Sequence, residues 1–224
     1  MIKNIKKVIS GGALGADSVW SYLLEKHGME RKSIYHVIGF GLKRPTGGLD
    51  DNRIREQSTG TTYQLSADQM ILGVEQLLAL DVPISGLTAK EYFSNYNGNV
   101  TTLNSTQRLQ IRNYFQVYKA DNVYAVCEMR NGHPTGGTAN AISTAIKLEK
   151  PVYVLDPLQG AWYKFVQGTW EKTSNVHLSG VCACIGTRAL VKYKQCKYGK
   201  WVDAPYIGAA NEKKVRAMME AAIC

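Results

Sequence analysis

The chain reads as a three-layer α/β fold on a mainly parallel sheet, because twice along it a short apolar run stops at a glycine-rich loop that opens an amphipathic helix. A third observation is Val181-Cys182-Ala183-Cys184-Ile185, a continuous apolar run of the kind that forms a strand buried on both faces. Strands alternating with helices argue for a largely parallel sheet. The 224 residues suffice for a single domain, 1–224, that buries roughly 70% of the surface its unfolded form exposes.

The first element is the short strand Lys7-Val8-Ile9, which stops at Ser10-Gly11-Gly12-Ala13-Leu14-Gly15-Ala16-Asp17. Leu14, Val19, Trp20, Leu23 and Leu24 then form a stripe at helical spacing over 14–26, ended by Gly28. A second strand is expected over 34–40, followed by a Gly-, Thr-, Asp- and Arg-rich functional loop over 41–60. Ser66 and Gln69 have capping-box spacing and open a helix through Leu80, with Met70, Ile71, Val74, Leu77 and Leu78 on one face. Residues 81–104 read as an irregular connection.

A helix over 106–118 and a strand over 122–127 precede Asn131-Gly132-His133-Pro134-Thr135-Gly136-Gly137-Thr138, which opens a helix through about Leu148; a strand at 151–155 completes this second unit. Gln167-Gly168 between two aromatic-rich stretches predicts a β-hairpin insertion at the sheet edge, so 156–208 reads as a hairpin-containing extension of the same sheet. A terminal helix is expected over 209–222.

With 27 Lys and Arg against 18 Asp and Glu, the net charge is +9 and the pI about 9.3. That field favours a polyanionic ligand, nucleotide or nucleic acid, with a solvated basic surface that serves solubility as the alternative. No run approaches the ~20 apolar residues of a membrane span, and the start lacks a secretory signal pattern, so the expected location is cytoplasmic with no membrane partner. Cys127, Cys182, Cys184, Cys196 and Cys224 form no C-x-x-C pair, which suggests neither a disulfide framework nor a metal site, and no cofactor is expected.

A glycine pair at the carboxyl end of a strand lets backbone N–H groups face an oxyanion while the next helix adds its partial positive charge. The first such loop offers Ser10, Gly11, Gly12 and Ala13, and the second offers Gly136, Gly137, Thr138 and Asn140. In a doubly wound sheet both open on one carboxyl edge. Gly186-Thr187-Arg188 follows the buried run, with Thr187 and Arg188 suited to phosphate. Arg112 and Gln116, four apart, share a helix face and either reach the ligand or tether the helix to Asp121. Trp20, Phe40, Tyr92 and Trp162 are candidates for base stacking, with core packing as the alternative. Asp17 either braces the first loop or acts on the ligand, and His133 stands near the second loop without a partnered base.

Ser10 to Asp17, then Arg112-Asn113-Tyr114-Phe115-Gln116-Val117 with Ala120-Asp121, then Gly136-Gly137-Thr138 with Lys150-Pro151-Val152, resemble the SLOG superfamily of Rossmann-like nucleotide-binding proteins. The order is most similar to the YpsA-like and molybdenum-carrier-like branch, with LOG and DprA relatives more distant. The similarity lies in three blocks between residues 8 and 155. The resemblance implies a Rossmann-like fold, a ligand site over both glycine loops and a homo-oligomer. Its members bind nucleotides or single-stranded DNA, sense nucleotide-derived signals, or cleave nucleotide N-glycosidic bonds. Phosphoribohydrolase relatives carry a catalytic Glu in the second loop, where this chain has Ser143. A hydroxyl cannot stabilise an oxocarbenium-like transition state as a carboxylate does. Asp17, Glu56 or Glu128 would have to replace it.

The expected function is therefore non-catalytic binding of a nucleotide or nucleotide-derived signal, such as a cyclic nucleotide or an ADP-ribose derivative. It suits sensing or sequestration, including anti-defence sequestration of a host immune signal by a virus. The alternatives are nucleotide N-glycoside or phosphoester hydrolysis and, after it, single-stranded nucleic-acid binding.

Overall fold

The computed structural model describes residues 2, 4–13, 15–40, 60–192, 194–197, 200–203 and 205–224. Leu14, most of the expected functional loop over 41–60, and Glu56 within it lie outside the described residues. In chain order the elements are β1 (Ile5–Ser10), α1 (Ala16–Lys26), β2 (Ile34–Ile38), β3 (Thr61–Gln64), α2 (Ala67–Ala79), α3 (Ala89–Tyr92), α4 (Ser105–Tyr118) and β4 (Asn122–Val126). They continue with β5 (Met129–Arg130), β6 (His133–Pro134), α5 (Gly136–Lys147), β7 (Val152–Asp156), β8 (Ala161–Val166), β9 (Thr169–Thr173), β10 (Gly180–Gly186), β11 (Lys194–Lys197), β12 (Lys200–Asp203) and α6 (Ala209–Ile223).

The main sheet has the order β3-β2-β1-β10-β4-β7-β8-β9. Strands β3 to β7 in that order run parallel, and β8 and β9 are antiparallel at the edge. This is the three-layer, Rossmann-like α/β architecture that the alternation of strands and helices predicts. The apolar run 181–185 takes the centre as β10, between β1 and β4. Side chains alternate across a strand, so Cys182 and Cys184 join a layer with Trp20, Leu24 and Met219 of α1 and α6. Ala183 and Ile185 face the other way, into a layer with Ile142 and Ala145 of α5. On that second side α2 and α4 pack Met70, Val74, Ile111 and Tyr114 against Ile9 and Val37. Both faces of the sheet are covered, which is why its central strands carry almost no polar side chains.

The Ser66–Gln69 capping box is present and starts α2. Two more boxes open helices the same way: Thr88 with Glu91 for α3, and Asn104 with Gln107 for α4. The connection over 81–104 is therefore not irregular throughout, since α3 and a single-turn helix at Val100–Thr102 interrupt it. β8 and β9 form the expected edge hairpin around Gln167 and Gly168, whose φ values of 47° and 90° suit a two-residue primed turn. In the 156–208 extension β8, β9 and β10 belong to the main sheet, whereas β11 and β12 pair only with each other. β3 is an edge strand with all four residues exposed, and so has none of the apolar alternation that marks a strand in sequence. Among the described residues no helix is long and apolar enough to cross a membrane.

Candidate functional site

β1, β10 and β4 are adjacent and parallel, so the loops after their carboxyl ends meet at one edge of the sheet. Gly15 makes that meeting close: its φ is 106°, and a Cβ there would stand 2.5 Å from Arg188 Cα. Only glycine takes both the conformation and the contact. The Ala16 N–H donates to the Thr187 carbonyl at 3.0 Å. Asp17, 2% exposed, joins the same loops through its carboxylate. Its Oδ2 accepts from the Gly11 N–H (3.0 Å) and the Ala13 N–H (3.4 Å), and its Oδ1 accepts from the Gly186 N–H (2.9 Å). The buried Ser10 Oγ accepts from the Gly12 N–H at 3.1 Å and lies 3.0 Å from His36 Nδ1. The first-loop donors expected to hold a phosphate are therefore engaged within the chain, and Asp17 stands where the oxyanion would. Of its two readings, the brace is the one the geometry displays.

α4 lays Arg112 against this loop. A Cβ on Gly11 would fall on the Arg112 guanidinium, so the missing side chain is what admits the arginine beside Asp17. Burial pushes the Asp17 carboxyl above its ordinary range, while Arg112 and the three backbone N–H groups pull it back down. Burial pushes the Arg112 guanidinium down, opposed by Asp17 and reinforced by Arg188. Arg112 Nη2 donates to Gln116 Oε1 at 3.4 Å. Two donors of this pair, Arg112 Nε and Gln116 Nε2, are buried with no hydrogen-bond partner among the described residues. Buried polar groups are nearly always paired, so two orphans side by side mark a place that an acceptor would fill. Asp121 accepts instead from the Val181 N–H at 2.8 Å.

A cleft of about 600 Å³ opens over this pair, within the range of small-molecule sites. It brings together Ala13, Asp17, Arg112, Gln116, Gly136, Gly137, Thr138, Thr187 and Arg188 from the expected site. Thr135, the residue preceding α5, makes no side-chain cap, because its hydroxyl donates to the Glu128 carbonyl at 3.1 Å. The first turn of a helix has no intrahelical acceptors for its N–H groups, and here that turn, Gly136 to Thr138, lines the cleft. Arg188 is exposed at the rim and has no carboxylate partner among the described residues. Glu128 and Arg130 also line the cleft and form a two-bond ion pair of 2.7 and 2.9 Å, which holds the Glu128 carboxyl below its usual range. Cys127 lies at the cleft wall, and burial pushes its thiol up to about 12. It is no thiolate nucleophile at neutral pH.

The remaining expected residues lie elsewhere. Ser10, Gly11 and Gly12 sit in the closed loop and do not line the cleft. Phe40 is exposed, and its carbonyl accepts from Arg108 at 3.1 Å. Asn140 turns away and accepts from the Ser85 N–H at 3.1 Å. Ser143, His133, Tyr92, Trp20 and Trp162 are also absent from the lining. Trp20 and Trp162 are buried and pack with ring centres 6.4 Å apart, as core. Among the described residues no aromatic ring lines the cleft, and no group of three or more His, Cys, Asp or Glu is placed to hold a metal.

Sequence reasoning missed the β5–β6 hairpin that carries Glu128 and Arg130 to the rim. Its Asn131-Gly132 turn, with φ of 51° and 78°, was the available signal. It also missed Asp156, whose buried carboxylate accepts from the N–H groups of Met129, Leu158 and Gln159 and so anchors the start of that hairpin.

Compared with family models, curated proteins and solved structures, the chain matches none.

Proposed function

We propose that the protein binds, without turning it over, a nucleotide or nucleotide-derived anion in the cleft between α4 and the start of α5. The observation that carries this reading is the orphaned pair of buried donors, Arg112 Nε and Gln116 Nε2, beneath an uncapped helix start. With Arg188 at the rim, these two donors and the uncapped first turn of α5 are the complement of phosphate and sugar oxygens. The ligand class is a cyclic nucleotide or an ADP-ribose derivative, held by a cytoplasmic homo-oligomer that senses or sequesters it.

Turnover is disfavoured by the state of the lining groups. Asp17 has both oxygens engaged by backbone N–H groups, Glu128 is paired with Arg130, and Cys127 is a neutral thiol. Ser143, where phosphoribohydrolase relatives place their Glu, is outside the lining. A hydrolytic base would have to leave an existing partner first.

The test is to denature the purified protein, identify any small molecule released by mass spectrometry, and titrate that compound and a panel of mononucleotides, cyclic nucleotides and ADP-ribose derivatives calorimetrically. One intact phosphorylated ligand per chain is the expected result, with affinity lost in Gln116→Leu. Binding to none of the panel, or release of free base or ribose phosphate on incubation, would overturn the reading.

A further inference from the structure

At the far end of α1 from the cleft, about 15 Å away at 1.5 Å per residue, a second cluster of reactive side chains has no part in ligand binding. Cys224 is an exposed free thiol, whereas Cys127, Cys182 and Cys184 are buried. Its Sγ lies 3.7 Å from His27 Nδ1. The other ring nitrogen, His27 Nε2, is 2.8 Å from Glu220 Oε1, which also accepts from Lys26 Nζ at 2.7 Å. Thiol, imidazole and carboxylate thus stand in series, with the residue that follows α1 supplying the histidine and α6 the carboxylate.

The order of the three groups has a chemical consequence. The Lys26 ammonium and the His27 imidazole hold the Glu220 carboxyl below its usual range, so it is an acceptor at neutral pH. An ionised carboxylate on Nε2 keeps a proton on that nitrogen and leaves Nδ1, on the thiol side, to exchange the sulfur's proton. A nucleophile next to a base that is oriented by a third group is the arrangement that activates a side chain. The charged and titratable groups that meet Cys224 are His27, just after α1, and the Lys26 ammonium of α1; Glu220 of α6 is reached through both, and Tyr22 acts on Lys26.

We infer that Cys224, with His27 as its base and Glu220 as the orienting group, is a site of thiol–disulfide exchange with low-molecular-weight disulfides. In the step the Cys224 sulfur attacks one sulfur of RS–SR, the S–S bond breaks, and a Cys224–S–SR bond forms. The Cys224 proton passes to His27 Nδ1 and on to the departing thiolate, which leaves as RSH. The disulfide is the oxidant, and no further electrons are needed.

The experiment exposes the whole protein to oxidised glutathione at pH 7 and follows mixed-disulfide formation by intact mass, with peptide mapping to locate it. One adduct is expected, at Cys224, forming at least about tenfold faster than in His27→Gln, a modest effect beside the 10²–10⁴ of general bases in enclosed sites. Across neutral pH the wild-type rate should change less steeply with pH than that of His27→Gln, because in the variant only thiolate formed through solvent can attack. Glu220→Gln should also slow the reaction, and it carries the same comparison if the histidine variant is misfolded by circular dichroism. Equal rates and pH profiles in wild type and the variants, or adducts mainly at another cysteine, would overturn the assignment.

Discussion

The glycine loop after β1 and the one before α5 both deliver the chain from the sheet to a helix start, but their backbone donors have opposite fates. In the first, Asp17 accepts from Gly11, Ala13 and Gly186, Ser10 accepts from Gly12, and Ala16 donates to Thr187. In the second, the Thr135 hydroxyl turns back to Glu128 and leaves the first turn of α5 open to the cleft. A glycine-rich strand-to-helix loop is thus compatible with two roles. It binds an external anion only when no acidic side chain of its own chain reaches the same amides.

The comparison breaks first at Asp17. Removing one partner of a buried charged network leaves the others unpaired, at a cost of about 3–5 kcal/mol. Asp17→Ala should lose that much in urea denaturation, because Gly11, Ala13 and Gly186 lose their acceptor and Arg112 its counter-charge. A loss under about 1 kcal/mol would mean that the first loop is not braced this way.

On the second loop the effect should fall on binding. None of the described residues lies within 4 Å of a Cβ at Gly137. A carboxylate in the first turn of a helix is favourable to the helix by a few tenths of a kcal/mol or more. Gly137→Asp should therefore fold as well as wild type yet bind ADP-ribose roughly ten- to hundredfold more weakly by calorimetry, at about 1.4 kcal/mol per decade. Unchanged affinity would place the anion elsewhere. Arg188→Gln should weaken the same binding less, by roughly three- to tenfold, because the exposed guanidinium is screened, and raising the salt should shrink the difference.

A smaller effect separates the two cleft carboxylates by the sign of their pH dependence. Folding raises the Asp17 pKa from its ordinary 3.8, so the pH-linked part of its contribution to stability is fully present below that value and is lost as pH rises through the folded one, beside the brace made by its hydrogen bonds. Folding lowers Glu128 from 4.5, so its contribution is present above that value and lost as pH falls, and being exposed it is the weaker of the two. Denaturation across pH should show the Asp17→Asn difference changing in one direction and the Glu128→Gln difference in the other; the same direction for both would refute the contrast. The smallest effect expected is none: Ser143→Glu should release no free base from ADP-ribose derivatives, since position 143 does not line the cleft.

The parts of this molecule that were legible in sequence are those decided by neighbours a few residues apart. The α1 stripe, the Ser66–Gln69 capping box, the Gln167-Gly168 turn and the apolar run of β10 each depend on side-chain period or local hydrogen bonding, and all four appear. β3 escaped because an exposed edge strand shows no apolar pattern, and α3 because its capping box heads a helix of only one turn. At the site, three of the charged side chains were readable, since Asp17, Arg112 and Arg188 all line one cleft, whereas Arg130 was not. Asn140 and Phe40 were misplaced because the direction of a helical residue or a strand end depends on what packs there. Asn140 is taken by Ser85, and the Phe40 carbonyl by Arg108.

By itself, then, the sequence determined the alternation of strands and helices, the two glycine loops and the residue types available to meet an anion. Which loop stays open was decided only in the tertiary structure. The Gly186 N–H that completes the Asp17 brace comes from 169 residues along the chain, and Arg112 reaches the first loop only because α4 packs across it. Local spacing fixes which groups a segment carries. Whether a backbone donor is free or spent depends on which acceptor the folded chain brings within 3 Å or so of it, and that acceptor can come from anywhere in the sequence.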